Sequence, residues 1–172
     1  MEINTVKVLE AGYEIDVSFN GCIMYHGVDS IGGLALGFRL MKWAIEKLSP
    51  EKAPERSTIR FATAFPGPGL RDAVEMISRA VTRGAYTVLT EAPDIAPEGV
   101  YGHMYFEISV GDKTVKVCLA PDVFSEEFIS IGRAYKRGET TPELLARWKE
   151  LKENLAETVW SADLNQILIE VE

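Results

Sequence analysis

Between Leu34 and Leu48 the sequence is apolar on nearly every side of the helix that its spacing describes. The polar positions Arg39, Lys42 and Glu46 recur at helical spacing and form one narrow stripe. A helix of this kind is buried around most of its circumference, in a domain centre or against a second subunit, so the remaining chain is expected to wrap around it. Gly33 and Gly37, four residues apart, leave a flat strip on which another backbone can approach closely. The apolar-rich stretch Ile31 to Ile45 is too short to cross a bilayer and is interrupted by Arg39 and Lys42, so no membrane span is expected. Arg39, a lone cation on an apolar helix, calls for an acidic or anionic partner.

The flanking segments define the rest of the fold. Tyr13, Ile15, Val17 and Phe19 alternate with Glu14, Asp16 and Ser18 as a half-buried strand, turned at Gly12 onto the run Ile3–Leu9. A polar, glycine-bearing loop, NGCIMYHGVDSIGG, leads into the apolar helix. After a charged link over Ser49–Ser57, a strand is expected over Thr58–Ala64. A helix then runs from Pro68 to Arg83, stopped by Gly84, with the core stripe Leu70, Ala73, Val74, Ile77 and Val81. Tyr86–Thr90 reads as a strand. Val100–Val110 and Lys113–Leu119 flank Gly111-Asp112, a two-residue hairpin turn. That register sets Phe106 against Val117 and Ile108 against Val115 on an apolar face, and Tyr105 against Cys118 on the other, with His103 diagonal to Cys118. Two helices follow, one capped by Asp122, the other started by Thr141-Pro142-Glu143. Leu164–Val171 closes as a strand or extended tail. The expectation is one α+β domain spanning residues 1–172: a mixed, largely antiparallel sheet with a buried central helix and two C-terminal helices.

Eighteen Lys+Arg against 26 Asp+Glu leave a net charge of -8. Neither nucleic acid nor an anionic membrane surface is then an expected partner, because both are bound through clustered cations. Cys22 and Cys118 cannot build a disulfide scaffold, and no CxxC pair is present. The first residues have neither a basic nor an apolar leader segment, so a cytoplasmic protein with reduced thiols is expected.

Two constellations carry candidate chemistry. His26 lies between Tyr25 and Gly27 in a glycine-bearing loop entering a helix, and imidazole is the commonest transition-metal ligand and proton carrier near neutral pH. Cys22, four residues earlier, and Asp29 could share an ion with it; the plainer reading of Cys22 is a small buried thiol. His103 and Cys118 could support a metal or a thiolate–imidazole pair, against the plainer reading of a covered sheet face. Tyr101, Tyr105, Trp43 and Met24 could wall a flat cofactor, although aromatic residues at such spacings are ordinarily core.

The segments His26-Gly27, Gly33-Leu34-Ala35-Leu36-Gly37-Phe38-Arg39, Asp72-Ala73-Val74-Glu75, Val115–Leu119 and Gly138-Glu139-Thr140-Thr141-Pro142-Glu143 resemble the FmdE family of formylmethanofuran dehydrogenase components. That family carries a histidine-glycine-histidine-x-cysteine-proline-glycine loop feeding a helix with a further glycine and arginine. Here Val28 stands for the second histidine, and Asp29, Ser30 and Ile31 replace the cysteine-proline stretch. Ser78–Thr82 replaces a glycine-cysteine-threonine segment, and the C-terminal zinc finger of many members is not expected. The resemblance implies an α+β core that forms a homodimer, with a cleft beside the first loop that holds a metal or cofactor. It places Asp72 on a matched position.

Three functional classes follow. The first is a binding or accessory protein of the FmdE type for a transition metal (Zn, Ni or Fe) or cofactor, acting in one-carbon chemistry alone or in a larger enzyme complex. Its expected cofactor-binding residues are His26, Tyr25, Arg39 and Asp72, and its expected metal ligands are His26, Cys22, Asp29, His103 and Cys118. The second is a haem or other tetrapyrrole binder with His26 as axial ligand. The third is a non-catalytic homodimeric interaction protein packed through the Gly33/Gly37 helix.

Overall fold

The computed structural model describes residues 5–172. Ile3, where the first expected strand run begins, lies outside the described residues. Thr5–Glu10 (β1) and Tyr13–Ser18 (β2) pair antiparallel, with Val6 opposite Val17 and Val8 opposite Ile15. Ala11 and Gly12, both at positive φ, make the turn.

The loop expected after this hairpin is instead a helix, Phe19–His26 (α1). Ser18 caps it by accepting the Gly21 amide at 2.9 Å, and Gly27 ends it at φ 87°. Asn20 and Gly21 give the segment weak helical propensity. Tertiary packing compensates: the Phe19 ring lies 5.4 Å from that of Phe38 and 4.5 Å from that of Trp160.

The central helix is Ile31–Leu48 (α2). Its apolar circumference is explained by three separate neighbours. Pro68–Ser78 (α3) crosses it at the glycine strip: a Cβ on Gly37 would stand 2.9 Å from both the Ala73 Cβ and the Leu70 carbonyl oxygen. The strip therefore meets another backbone, as expected, but one from the same chain, so it is not open to a dimer partner. Pro142–Ser161 (α5) packs on a second side, where a Cβ on Gly32 would lie 2.8 Å from Leu155 Cδ2.

The third neighbour is a five-stranded sheet of Ile59–Thr63 (β3), Tyr86–Val88 (β4), Tyr105–Val110 (β5), Lys113–Leu119 (β6) and Leu168–Glu170 (β7). Its order is β4-β3-β5-β6-β7, and only β3–β4 is parallel. The fold is thus α+β with a mixed, largely antiparallel sheet. The β5–β6 register matches the expected one, with Phe106 opposite Val117, Ile108 opposite Val115 and Tyr105 opposite Cys118. Phe61, Phe106, Ile108 and Val117 are buried in the same core as α2.

Several boundaries differ from expectation, among them the strand expected from Val100, which begins at Tyr105, and the one expected to reach Thr90, which ends at Val88. The helix expected to reach Arg83 stops at Ser78, with Arg79 left-handed at φ 57°. Glu75, only 4% exposed, accepts the amides of Val81 at 2.8 Å and Thr82 at 3.1 Å together with the Thr82 hydroxyl. That carboxylate folds the chain back before another helical turn can form. Asp122 does not cap the next helix. It sits in a short 3-10 turn, and Ser125 caps Glu126–Lys136 (α4) through the Phe128 amide at 3.0 Å. Thr141 caps α5 as expected, accepting from Leu144 at 3.2 Å, but the tail first forms a helical turn, Leu164–Ile167 (α6), before β7.

Arg39 is bonded to backbone carbonyls, with the acids Asp163 and Glu46 near enough to favour its charge. Its guanidinium donates to the carbonyls of Val159 at 2.8 Å, Ala162 at 3.0 Å and Trp160. It closes the C-terminal end of α5, where unpaired carbonyls and the helix dipole favour a cation. Among the described residues no helix is long and apolar enough to cross a membrane.

Candidate functional site

His26 is the last residue of α1, and the seat of α1 on α3 brings it to Asp72. Its Nδ1 lies 2.8 Å from Asp72 Oδ2, and Arg71 holds the other carboxylate oxygen at 3.0 Å. The His26 side chain is 9% exposed and that of Asp72 20%. A carboxylate only accepts hydrogen bonds, so Nδ1 carries the proton and, in the neutral ring, Nε2 presents a lone pair. Nε2 is sealed from solvent and has no hydrogen-bond partner within the chain. An unpaired buried polar atom costs about 1–3 kcal/mol, so folding alone gives no reason for it.

Among the described residues one other buried side-chain atom is unpartnered: the hydroxyl of Tyr86 at the start of β4. Its ring stacks on Phe61 at 5.7 Å with an interplanar angle of 6°. Burial pushes the phenol up to about 12, with smaller opposing influences from Arg71 and Asp72. Sequence reasoning missed Tyr86, because a tyrosine opening a strand has no pattern distinguishing it from ordinary core.

The other expected site residues are placed elsewhere. Cys22 shares α1 with His26 but is fully buried in the core, and burial pushes its thiol up to about 12. Asp29 is exposed and pairs with Lys152 of α5 at 2.6 Å. His103 stops short of β5: it forms a bridge with Glu98, and its amide donates to the Ala64 carbonyl at 3.1 Å. Gly102, at φ 143°, breaks the alternation that would have extended the strand. Cys118 is fully buried among Tyr105, Ala64 and Ala96, and burial raises its thiol. Tyr25 is 54% exposed on α1, and Arg39 is committed to α5. No three His, Cys, Asp or Glu side chains among the described residues gather as a metal cluster. From the expected set, the structure joins His26 to Asp72 alone.

A cavity of about 50 Å³ opens beside the start of α2, walled by Gly33, Phe65, Tyr101, Phe128, Trp148 and Lys152 among others. His26 is not among its walls. A tetrapyrrole on Nε2 would need a slot against that atom, and this cavity does not supply one.

No protein-family model matches this chain, and no curated protein matches it. His26 and Asp72, with the short motifs around them, are what a functional reading can stand on.

Proposed function

We propose that the protein binds a transition-metal ion, or a cofactor carrying one, through Nε2 of His26. A single observation carries this reading: the imidazole is docked on Asp72 through Nδ1, while Nε2 is buried and unpaired. Metal-ligating histidines commonly give their other ring N–H to a carboxylate, which fixes the tautomer and raises the basicity of the ligating nitrogen. Imidazole suits Zn, Ni and Fe alike. One imidazole supplies a single coordination position, unlike the four-ligand set of a closed structural zinc site.

The resemblance to the FmdE family supports the same reading, since His26-Gly27 and Asp72 both fall on its motifs. The chain is then a binding or accessory protein. The two cysteines, fully buried and held as thiols, make poor nucleophiles. Association with a second copy or a larger enzyme complex would use the exposed Met24, Tyr25 and Val28, which surround His26 in sequence. Sedimentation velocity reads that part separately, and a monomer at micromolar concentration with no co-purifying partner removes it.

The test of the binding reading is elemental analysis of protein purified without added metal, followed by titration with Zn(II), Ni(II) and Fe(II). One ion per chain is expected, lost in His26→Ala. Protein with no bound ion and no affinity for any of the three sinks the proposal.

A further inference from the structure

We infer that the cavity between the starts of α2 and α3 is a binding site for a short aliphatic monocarboxylate, its carboxylate taken by Lys152 and its hydrocarbon end by the apolar walls. The site is separate from His26, which is not among those walls, and neither reading depends on the other. Protein interiors leave few voids larger than a water molecule. Here about 50 Å³ lies among large apolar side chains, including Leu36, Phe65, Phe128, Trp148 and Leu155.

The charge around the cavity selects an anion. Ser30, Gly32 and Gly33 at the start of α2 line it, as do Gly67 and Gly69 at the start of α3. The two starts meet backbone to backbone: a Cβ on Gly69 would stand 2.6 Å from the Leu34 nitrogen. Neither helix has a side-chain cap, so two positive helix ends border one space. Lys152 adds a full charge on the same wall. Its side chain is 12% exposed, and that of its partner Asp29 is 76% exposed. An exposed carboxylate holds such a pair weakly, so a ligand carboxylate can take its place on the ammonium. A cationic ligand is disfavoured, because the aromatic faces it would need are already taken. Lys152 Nζ stands 5.4 Å over the Trp148 ring and Lys136 Nζ 5.1 Å over that of Tyr101.

Size narrows the class further. A cavity of roughly 150 Å³ takes a benzene ring, so this one takes a chain end of about two or three carbons and excludes an aryl group. Butanoate, with three carbons beyond its carboxylate, is the probe.

Calorimetric titration of the metal-free, full-length protein with butanoate, butylammonium and benzoate tests this. Butanoate should bind at one site per chain with a dissociation constant of about 1 mM, the range open to a ligand of so few atoms. The other two should bind at least about ten-fold more weakly, butylammonium for its charge and benzoate for its ring. Lys152→Met keeps an apolar stem and removes the charge, so affinity should fall about ten-fold or more. Asp29→Asn removes the competing carboxylate, so affinity should rise about two- to five-fold. A lysine that only fastens α5 to the loop before α2 gives no such rise. Asp29→Asn alters an exposed side chain and decides the matter even where Lys152→Met is unstable. Butanoate that fails to saturate a site overturns the proposal. So do butylammonium or benzoate binding as tightly, parental affinity in a folded Lys152→Met, or no gain in Asp29→Asn.

Discussion

Nδ1 of His26 and the carboxylate of Asp72 meet at 2.8 Å across 46 residues of chain. They do so because α1 ends where the second turn of α3 passes. Arg71 completes the row by holding the far oxygen of Asp72 at 3.0 Å, so the carboxylate is fixed from both sides and the imidazole is oriented by a group that cannot itself donate.

Asp72→Asn tests that orientation. The amide can either accept or donate, so the ring is no longer confined to the tautomer with its lone pair on Nε2. Affinity for Zn(II), measured by competition with a chromophoric chelator, should fall about 10–100-fold with the fold retained. Unchanged affinity would show that Asp72 holds α1 to α3 and nothing more.

Gly37 and Gly33 separate close helix crossing from simple glycine content. A Cβ on Gly37 meets Ala73 and the Leu70 backbone at 2.9–3.0 Å, whereas one on Gly33 meets nothing nearer than 3.5 Å. Gly37→Ala should therefore cost about 1–3 kcal/mol through overpacking. Gly33→Ala should stay within about 1 kcal/mol of the parent, as helix propensity offsets the added contact. Urea midpoints of the two variants check the difference, and equal midpoints would discard the crossing argument.

The same residues indicate how much could be read before the structure. A helix apolar on all sides had to be central, and Gly33 and Gly37 had to meet a backbone; which backbone, α3 rather than that of another protomer, depends on tertiary folding. The Gly111-Asp112 turn sets the β5–β6 register because a two-residue turn leaves little choice of pairing. α1 was hidden because Asn20 and Gly21 disfavour a helix that Phe19 nevertheless anchors on Phe38 and Trp160. At the site, His26 was legible as chemistry. Asp72 was legible only through the resemblance, because a pair joining two helices leaves no spacing rule. The Cys22–His26 spacing does place both on one helix, yet Cys22 is spent on the core.

Arg39 separates fold stability from metal binding. Arg39→Ala would strip the donor from the carbonyls of Val159, Trp160 and Ala162 at the end of α5, an expected loss of about 2–3 kcal/mol. Arg39→Lys should recover only part of it, since one ammonium cannot reproduce the planar fork. Metal affinity should be unchanged in both, because Arg39 is engaged with α5. A large loss of affinity at parental stability would return Arg39 to the binding site.

Both cysteines should be silent in the native state. Cys22 and Cys118 are fully buried, and burial raises each thiol, that of Cys22 to about 12. An aromatic disulfide reagent at pH 8 should release no colour from native protein and two equivalents per chain in guanidinium. Rapid reaction of one native thiol would restore it as a candidate nucleophile or ligand.

Glu75 links stability to pH. Burial by itself would raise its carboxyl, but hydrogen bonds from Thr82 and Val81, with Arg79 nearby, hold it below its ordinary value of 4.5. A folded-state value below the unfolded one means that the ionised carboxylate stabilises the fold. That contribution is complete above about pH 4.5 and disappears as pH falls through the lower, folded-state value. Glu75→Gln keeps the shape and removes the titration. Its stability deficit should be greatest near neutral pH and shrink steadily below about pH 4.5, as the parent loses what the variant never had. Denaturation midpoints of the pair from pH 7 down to pH 3 measure this, and a deficit that does not change with pH would mean that the bent end of α3 is held by packing rather than by the charge on Glu75.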